Sequence, residues 1–143
     1  MPRRVPGVTD PRAIVRRCFE DIICRGDLAA AEEVLAADVE FTTVTGEVLR
    51  GRRAFQNFAA QLAEAFPDIR FDIEQEFTDG EHVATRFVMR GTFLSTLMGL
   101  LPTGTEFAVR GIDTFRLVDG KVVEIHACYD TLGQMQQLGV VKL

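Results

Sequence analysis

The chain has 143 residues, 47% of them apolar and 26% charged, with a net charge of −5. That length suits one compact domain, and the apolar share is enough to bury a core, which excludes a disordered tail. Sixteen basic against twenty-one acidic residues oppose approach to phosphate backbones and anionic lipid, so nucleic acid and membrane surfaces are excluded as partners.

Residues 1 to 9, with two prolines and no periodicity, read as a flexible arm, leaving residues 10 to 143 as one domain. Asp10-Pro11 then pairs an N-cap with proline at the first helical position. Ile14, Val15, Cys18, Phe19, Ile22 and Ile23 recur at helical spacing until Arg25-Gly26-Asp27 stops that helix and caps a second, which carries Leu28, Ala31, Val34 and Leu35. Residues 39 to 44 and 47 to 49 flank Thr45-Gly46 as a short hairpin. A third amphipathic helix follows Gly51, with Phe55, Phe58, Ala59, Leu62 and Phe66 on one side, and ends before Pro67.

After Pro67 the period becomes two. Ile69, Phe71, Ile73, Gln75 and Phe77 alternate with charged residues, and Asp79-Gly80 turns into a strand from His82 to about Phe93. A strand from Thr105 to Val118, a second Asp-Gly turn at Asp119-Gly120, and a last strand from Lys121 to about Asp130 follow. TLGQMQQLGVVKL closes the chain as a short, helix-starting tail. Helices followed by a meander predict an α+β fold in which a bent sheet wraps around the helices and encloses a pocket.

Cys18, Cys24 and Cys128 lack C-x-x-C spacing, which points to reduced thiols and the cytoplasm rather than to disulfides or zinc. No apolar run reaches the roughly 18 residues that span a bilayer, and the start has no apolar secretion core. With His82 and His126 the only histidines and no triad spacing near either, no metal is expected. Phosphate-loop, dinucleotide and serine-hydrolase motifs are absent.

On the Thr105 to Val118 strand the odd positions are Phe107, Val109, Gly111, Asp113, Phe115 and Leu117, so Asp113 is the one acid on the apolar side. Burial there raises a carboxyl's pKa toward the range of a general acid or base. The structural alternative is an Asp satisfied by a backbone donor, or turned outward by a bulge. Phe87, Met89 and Phe93 share the inward parity of the neighbouring strand. Together with Phe115 and the helical Phe19 and Phe58, they are candidate substrate-binding side chains, although core packing also accounts for such a stripe. Arg86, Arg90, Arg110 and Arg116 fall on the opposite face, where they are solvated or paired with Glu124.

On the last strand His126 and Tyr129 differ in parity, so a regular strand aims only one of them inward. Imidazole titrates near neutrality in general, making His126 a candidate proton carrier or a structural residue. Asp130 is either a site acid or an N-cap. With Asp119-Gly120 as the turn, Asp113 pairs with His126; a bulge shifts this by one and pairs it with Ala127.

The helical start, RGTFLSTLMGLLPTGTEF, GIDTFRLVDGKVVEIHACYD and the ending QLG together resemble the SnoaL-like polyketide cyclase group of the nuclear-transport-factor-two-like superfamily. The most specific run is Pro102-Thr103-Gly104, a strand, Asp119-Gly120-Lys121, Asp130, then Gln137-Leu138-Gly139. The resemblance implies a cone in which three N-terminal helices pack in the concave face of a strongly curved, mainly antiparallel mixed sheet. It also implies a homodimer through the sheet and cofactor-free acid–base chemistry in a deep apolar cavity. Counted back from QLG, the acid–base aspartate of characterised anthracycline cyclases falls at Ala127 and their cavity histidine at Asp113. Phe93 takes the histidine's place in the usual GTH pattern, and His126 that of a tryptophan.

These observations predict an enzyme in which Asp113 acts as general base or acid on a small, apolar, oxygenated ring substrate, with Tyr129 polarising an oxygen and a flap from Leu97 to Leu101 excluding water. His126 and Asp130 are its further candidate catalytic residues. Besides ring closure or isomerisation, epoxide opening and assisted hydroxylation fit the same pocket. A different class also fits, a catalytically silent binding or accessory domain, which Ala127 favours. A pure dimerisation module is opposed by Arg86, Arg90 and Arg110 on the outer face.

Overall fold

The computed structural model describes residues 10–96 and 99–142. The arm expected over residues 1 to 9 lies outside them, as do Leu97 and Met98 of the expected flap. The first helix runs as α1 (Pro11–Arg17) and continues without a break as a π-helical segment (Cys18–Cys24). The Asp10 carboxylate caps α1 by accepting from the backbone N–H of Arg12 at 2.9 Å. Asp27 caps α2 (Leu28–Val34) by accepting from Ala30 N–H at 3.1 Å, so both expected caps satisfy otherwise orphaned donors. α3 (Arg52–Ala65) starts after Gly51 and stops ahead of Phe66-Pro67.

Six strands form one sheet: β1 (Leu35–Thr42), β2 (Val48–Arg50), β3 (Arg70–Asp79), β4 (His82–Thr92), β5 (Glu106–Val118) and β6 (Lys121–His126), in the order β2-β1-β6-β5-β4-β3. All neighbours are antiparallel except β1 and β6, which run parallel. The fold is the expected α+β arrangement, with the helices covering the inward face of the sheet. Ile14, Val15, Phe19, Val34, Phe55, Leu62 and Phe66 from the helical layer meet Val39, Phe87, Met89, Phe115 and Ile125 from the strands in one buried cluster.

The two Asp-Gly turns differ. Asp119 and Gly120 both take positive φ, 51° and 76°, the twist that a two-residue hairpin prefers. At the other, Asp79 pairs with His82, so the loop is Gly80-Glu81, one residue later than expected.

Two bulges break the alternation that the sequence suggests. In β3 the register slips between Ile73 and Gln75, leaving Glu74 as the extra residue. Phe71 and Ile73 therefore face inward, but beyond the bulge Glu76 turns in and Phe77 turns out, 52% exposed. In β6 the register slips at Val123, so that Val122 and Ile125 are both buried. An added residue reverses the parity of everything after it.

β6 also ends at His126, four residues before the expected end, and Tyr129 makes only an isolated bridge with Gly111. Where β6 stops, α4 (Thr131–Gln137) takes over the exposed edge of β5. The Gln137 side-chain amide donates to the carbonyl of Ala108 at 3.0 Å and accepts from its N–H at 2.7 Å, doing the work of a neighbouring peptide. The conspicuous QLG ending thus closes a sheet edge, with Leu138 buried behind it. Gln137→Ala is expected to lower stability by about 1 kcal/mol, since two backbone groups lose their partner; a chemical denaturation midpoint equal to wild type would remove this role.

Candidate active site

A cavity of about 510 Å³ lies between the π-segment, α3 and the inward face of β1, β4, β5 and β6, within the size range of small-molecule pockets. Its deep wall is aromatic. Phe19 stands 4.9 Å from Phe71, 5.4 Å from Phe87 and 5.5 Å from Phe115, ring centre to ring centre, and Met89 and Phe58 complete the lining. The π-segment contributes Cys18, Phe19 and Ile23 to this wall; such wide turns recur where a helix must reshape itself around a site. Burial pushes the Cys18 thiol up to about 12, which leaves it an unreactive part of the apolar lining.

Asp113 reaches the cavity from the middle of β5 and is only 8% exposed. Its Oδ1 accepts from the backbone N–H of Cys128 at 3.0 Å, its one hydrogen bond within the described residues. The β6 bulge creates this contact: with Thr114 opposite His126 and Gly111 opposite Tyr129, Ala127 lies level with Asp113 and the following N–H meets its carboxylate. Burial raises the Asp113 carboxyl to about 7, and the Cys128 N–H opposes that rise only in part. Among the described residues no Lys, Arg or His lines the cavity, so no cation counters the desolvation.

Tyr129 lines the same cavity. Burial, aided by the neighbouring Asp113, pushes its phenol up to about 12, so it keeps its proton as a donor at neutral pH. Polar groups concentrate at the mouth: Thr43, Thr45 and Glu47 from the β1–β2 turn, Asn57 and Gln61 from α3.

The other sequence-selected residues lie elsewhere. His126 points to the outer surface, where Nε2 sits 3.1 Å from Glu124, because the bulge gives it the outward parity. Asp130 is the N-cap of α4, accepting from Gly133 N–H at 2.8 Å. Phe93 packs against Phe66 in the core below the cavity, with ring centres 5.8 Å apart, and Gly99, Leu100 and Leu101 of the expected flap do not line it. The outer arginines pair across the sheet, Arg116 with Glu124, Arg90 with Asp72 and Arg86 with Glu74. Among the described residues no three His, Cys, Asp or Glu side chains group closely enough to hold a metal ion, and no helix is long and apolar enough to cross a membrane.

A family model for SnoaL-like polyketide cyclases matches residues 13–138. This chain belongs to that family. Aklanonic acid methyl ester cyclase DnrD of Streptomyces peucetius is 33% identical over 92 residues, covering 64% of this chain and 63% of that protein. The corresponding cyclase DauD of Streptomyces sp. strain C5 is 32% identical over 92 residues, covering 64% and 57%. The match therefore spans less than two thirds of either relative. A protein assigned to the SnoaL-like polyketide cyclases from Jannaschia sp. CCS1 superposes with a TM-score of 0.87 over 99% of this chain and 100% of its own, at 22% identity. IdmH of Streptomyces antibioticus, assigned as a polyketide cyclase, gives 0.80 at 28% identity over 92% of this chain and 100% of its own.

Within this SnoaL-like scaffold, the position at which the resemblance puts an aspartate is Ala127, and Asp113 stands beside it on the adjacent strand. Both side chains line the cavity. Sequence reading missed the mouth residues. The only trace of Asn57 and Gln61 is their spacing of four along α3, flanking Phe58, a pattern shared by any solvated helix edge.

The raised Asp113 pKa carries a stability signature. An unfolded chain releases this proton near pH 4, whereas the folded protein holds it to about 7. Neutral Asp113 therefore contributes its full stability below pH 4, and that contribution declines as pH rises through 7, by up to about 4 kcal/mol. Asp113→Asn is expected to melt above wild type at pH 8, with the gap closing toward pH 4. A gap that does not change with pH would exclude burial as the cause.

Proposed function

We propose that this protein is a cofactor-free acid–base enzyme that closes or isomerises a neutral, apolar, oxygenated ring substrate. The observation that carries this reading is Asp113, an acid in an aromatic cavity with no cationic partner among the described residues, its pKa raised to about 7. A general base works best when its pKa lies near the working pH. The ionised carboxylate would take a proton from the carbon next to a substrate carbonyl, and Tyr129 would donate a hydrogen bond to the enolate oxygen as charge collects there. The enolate carbon then attacks a second carbonyl to close the ring, and Asp113 returns its proton to the new alkoxide. Water exclusion by Phe19, Phe87 and Phe115 strengthens each of these interactions.

Two acids, Asp113 and Glu47, and no basic side chain among the described lining residues favour a neutral ligand such as an ester over a free acid. The relatives named as aklanonic acid methyl ester cyclases support the same direction. Ala127 supports a second reading, a binding domain of the same scaffold without chemistry.

Solvent exchange separates the two. Wild-type protein incubated in D₂O with a panel of polycyclic ketones is expected to bind them and to incorporate deuterium next to the carbonyl. Binding with no incorporation at any pH from 6 to 9 would favour the silent domain.

A further inference from the structure

The bulge at Glu74 turns Glu76 inward and so completes a row of three polar residues on the inward face of the sheet. Glu76 of β3 lies opposite Thr85 of β4, and Thr85 lies opposite Asp113 of β5. Thr85 is fully buried, and its Oγ1 has no hydrogen-bond partner among the described residues. Glu76 has a side chain only 5% exposed; its Oε1 is held by Arg16 Nε at 2.6 Å, while Oε2 is buried and likewise without a partner among the described residues. Buried hydroxyls without partners are rare, and valine would fill the same space without the cost. Directly opposed side chains on neighbouring strands start from Cβ atoms about 5 Å apart, so a turn about χ1 brings a threonine hydroxyl within reach of either neighbour.

We propose that the Thr85 hydroxyl is a positioning group for Asp113, donating to its carboxylate once the proton has left, in competition with Glu76 on the other side. The idea deepens the acid–base reading above and rests on it for its functional meaning. When Asp113 is protonated, the Thr85 donor is free to turn to the Glu76 carboxylate; when Asp113 ionises, it turns back. One hydroxyl thus offsets part of the desolvation that an ionised acid meets here, without admitting water or a cation to the cavity. The titratable groups on the surrounding elements are Tyr129 after β6, Cys18 on the π-segment and Glu47 at the mouth, with Glu76 and its partner Arg16 beyond Thr85. Among these, Tyr129 and Cys18 are held protonated by burial, which leaves Glu76 as the neighbouring charge in the row.

The test is a carbon-13 titration of the Asp113 side-chain carboxyl by NMR on the full chain, free of ligand. Thr85→Val is expected to fold normally and to raise the Asp113 midpoint by about one pH unit, because a donor to the charged form is lost. Thr85→Ser, which keeps the hydroxyl, is expected to stay near wild type. Glu76→Gln is expected to lower the midpoint, and by less when Thr85 is already valine. An unchanged midpoint in Thr85→Val, or an equal rise in Thr85→Ser, overturns the proposal. Turnover that survives Asp113→Asn instead sinks the catalytic reading, while the titration still decides what Thr85 does.

Discussion

Asp113→Asn is expected to reduce turnover by roughly 10²–10⁴-fold, the usual worth of a positioned general base, with the fold and ligand binding intact. Asparagine keeps the shape and can still accept from Cys128 N–H through its carbonyl oxygen, so the backbone after β6 has no reason to move. What it lacks is a site for the abstracted proton. The wild-type rate should rise with pH along one ionisation centred near 7, because the base is the deprotonated form and burial sets its pKa about there. That rising limb should vanish in the variant. Deuterium incorporation into a bound ketone, followed from pH 5 to 9, reads both effects at once; an unaltered rate in Asp113→Asn removes Asp113 from the chemistry.

The largest structural effect is expected from Gly111→Ala. A methyl at this position would sit 2.6 Å from the Phe87 ring, 2.7 Å from Cβ of Tyr129 and 2.9 Å from the carbonyl oxygen of Cys128. The Phe87 ring packs between Phe19 and Phe71, at 5.4 and 5.3 Å, so displacing it would break up that aromatic cluster. The segment from Ala127 to Tyr129 must yield instead, weakening the bond from Ile112 N–H to Cys128 O at 2.8 Å and the donor that Cys128 offers Asp113. Overpacking of this kind costs about 3 kcal/mol. Gly91→Ala is the milder comparison, since its methyl would lie 3.1 Å from the edge of Phe107 and 3.2 Å from Cβ of Phe66. Denaturation midpoints of the two variants measure the difference; Gly111→Ala as stable as wild type would mean that the Tyr129 segment is not held against β5.

Much of the architecture was legible before any coordinates. Asp10 and Asp27 announce helix starts because a short carboxylate is the natural acceptor for the first free N–H groups. Phe66-Pro67 announces a helix end because proline crowds the residue ahead of it. Asp119-Gly120 announces a hairpin because both residues tolerate positive φ. The lone acid on the apolar parity of β5 singled out Asp113 for the same reason that it sits in the cavity: β5 is regular over its whole length, and its odd positions all face inward. His126, Asp130 and Phe93 were misplaced because each depends on where a strand bends or stops, and local alternation carries no mark of that.

The sequence by itself therefore determined the helices, the hairpins, the inward face of β4 and β5 and the one acid on it, since each follows from periodicity or from a residue's own stereochemistry. Only the tertiary structure decided the parallel pairing of β1 with β6, the closure of the β5 edge by Gln137, and the two bulges at Glu74 and Val123. The first brings Glu76 into line with Thr85 and Asp113, and the second sends His126 outward. A bulge forms where one added residue lets a curved sheet keep its buried side chains against the helices, and that need is set by packing across the whole fold rather than by neighbours along the chain.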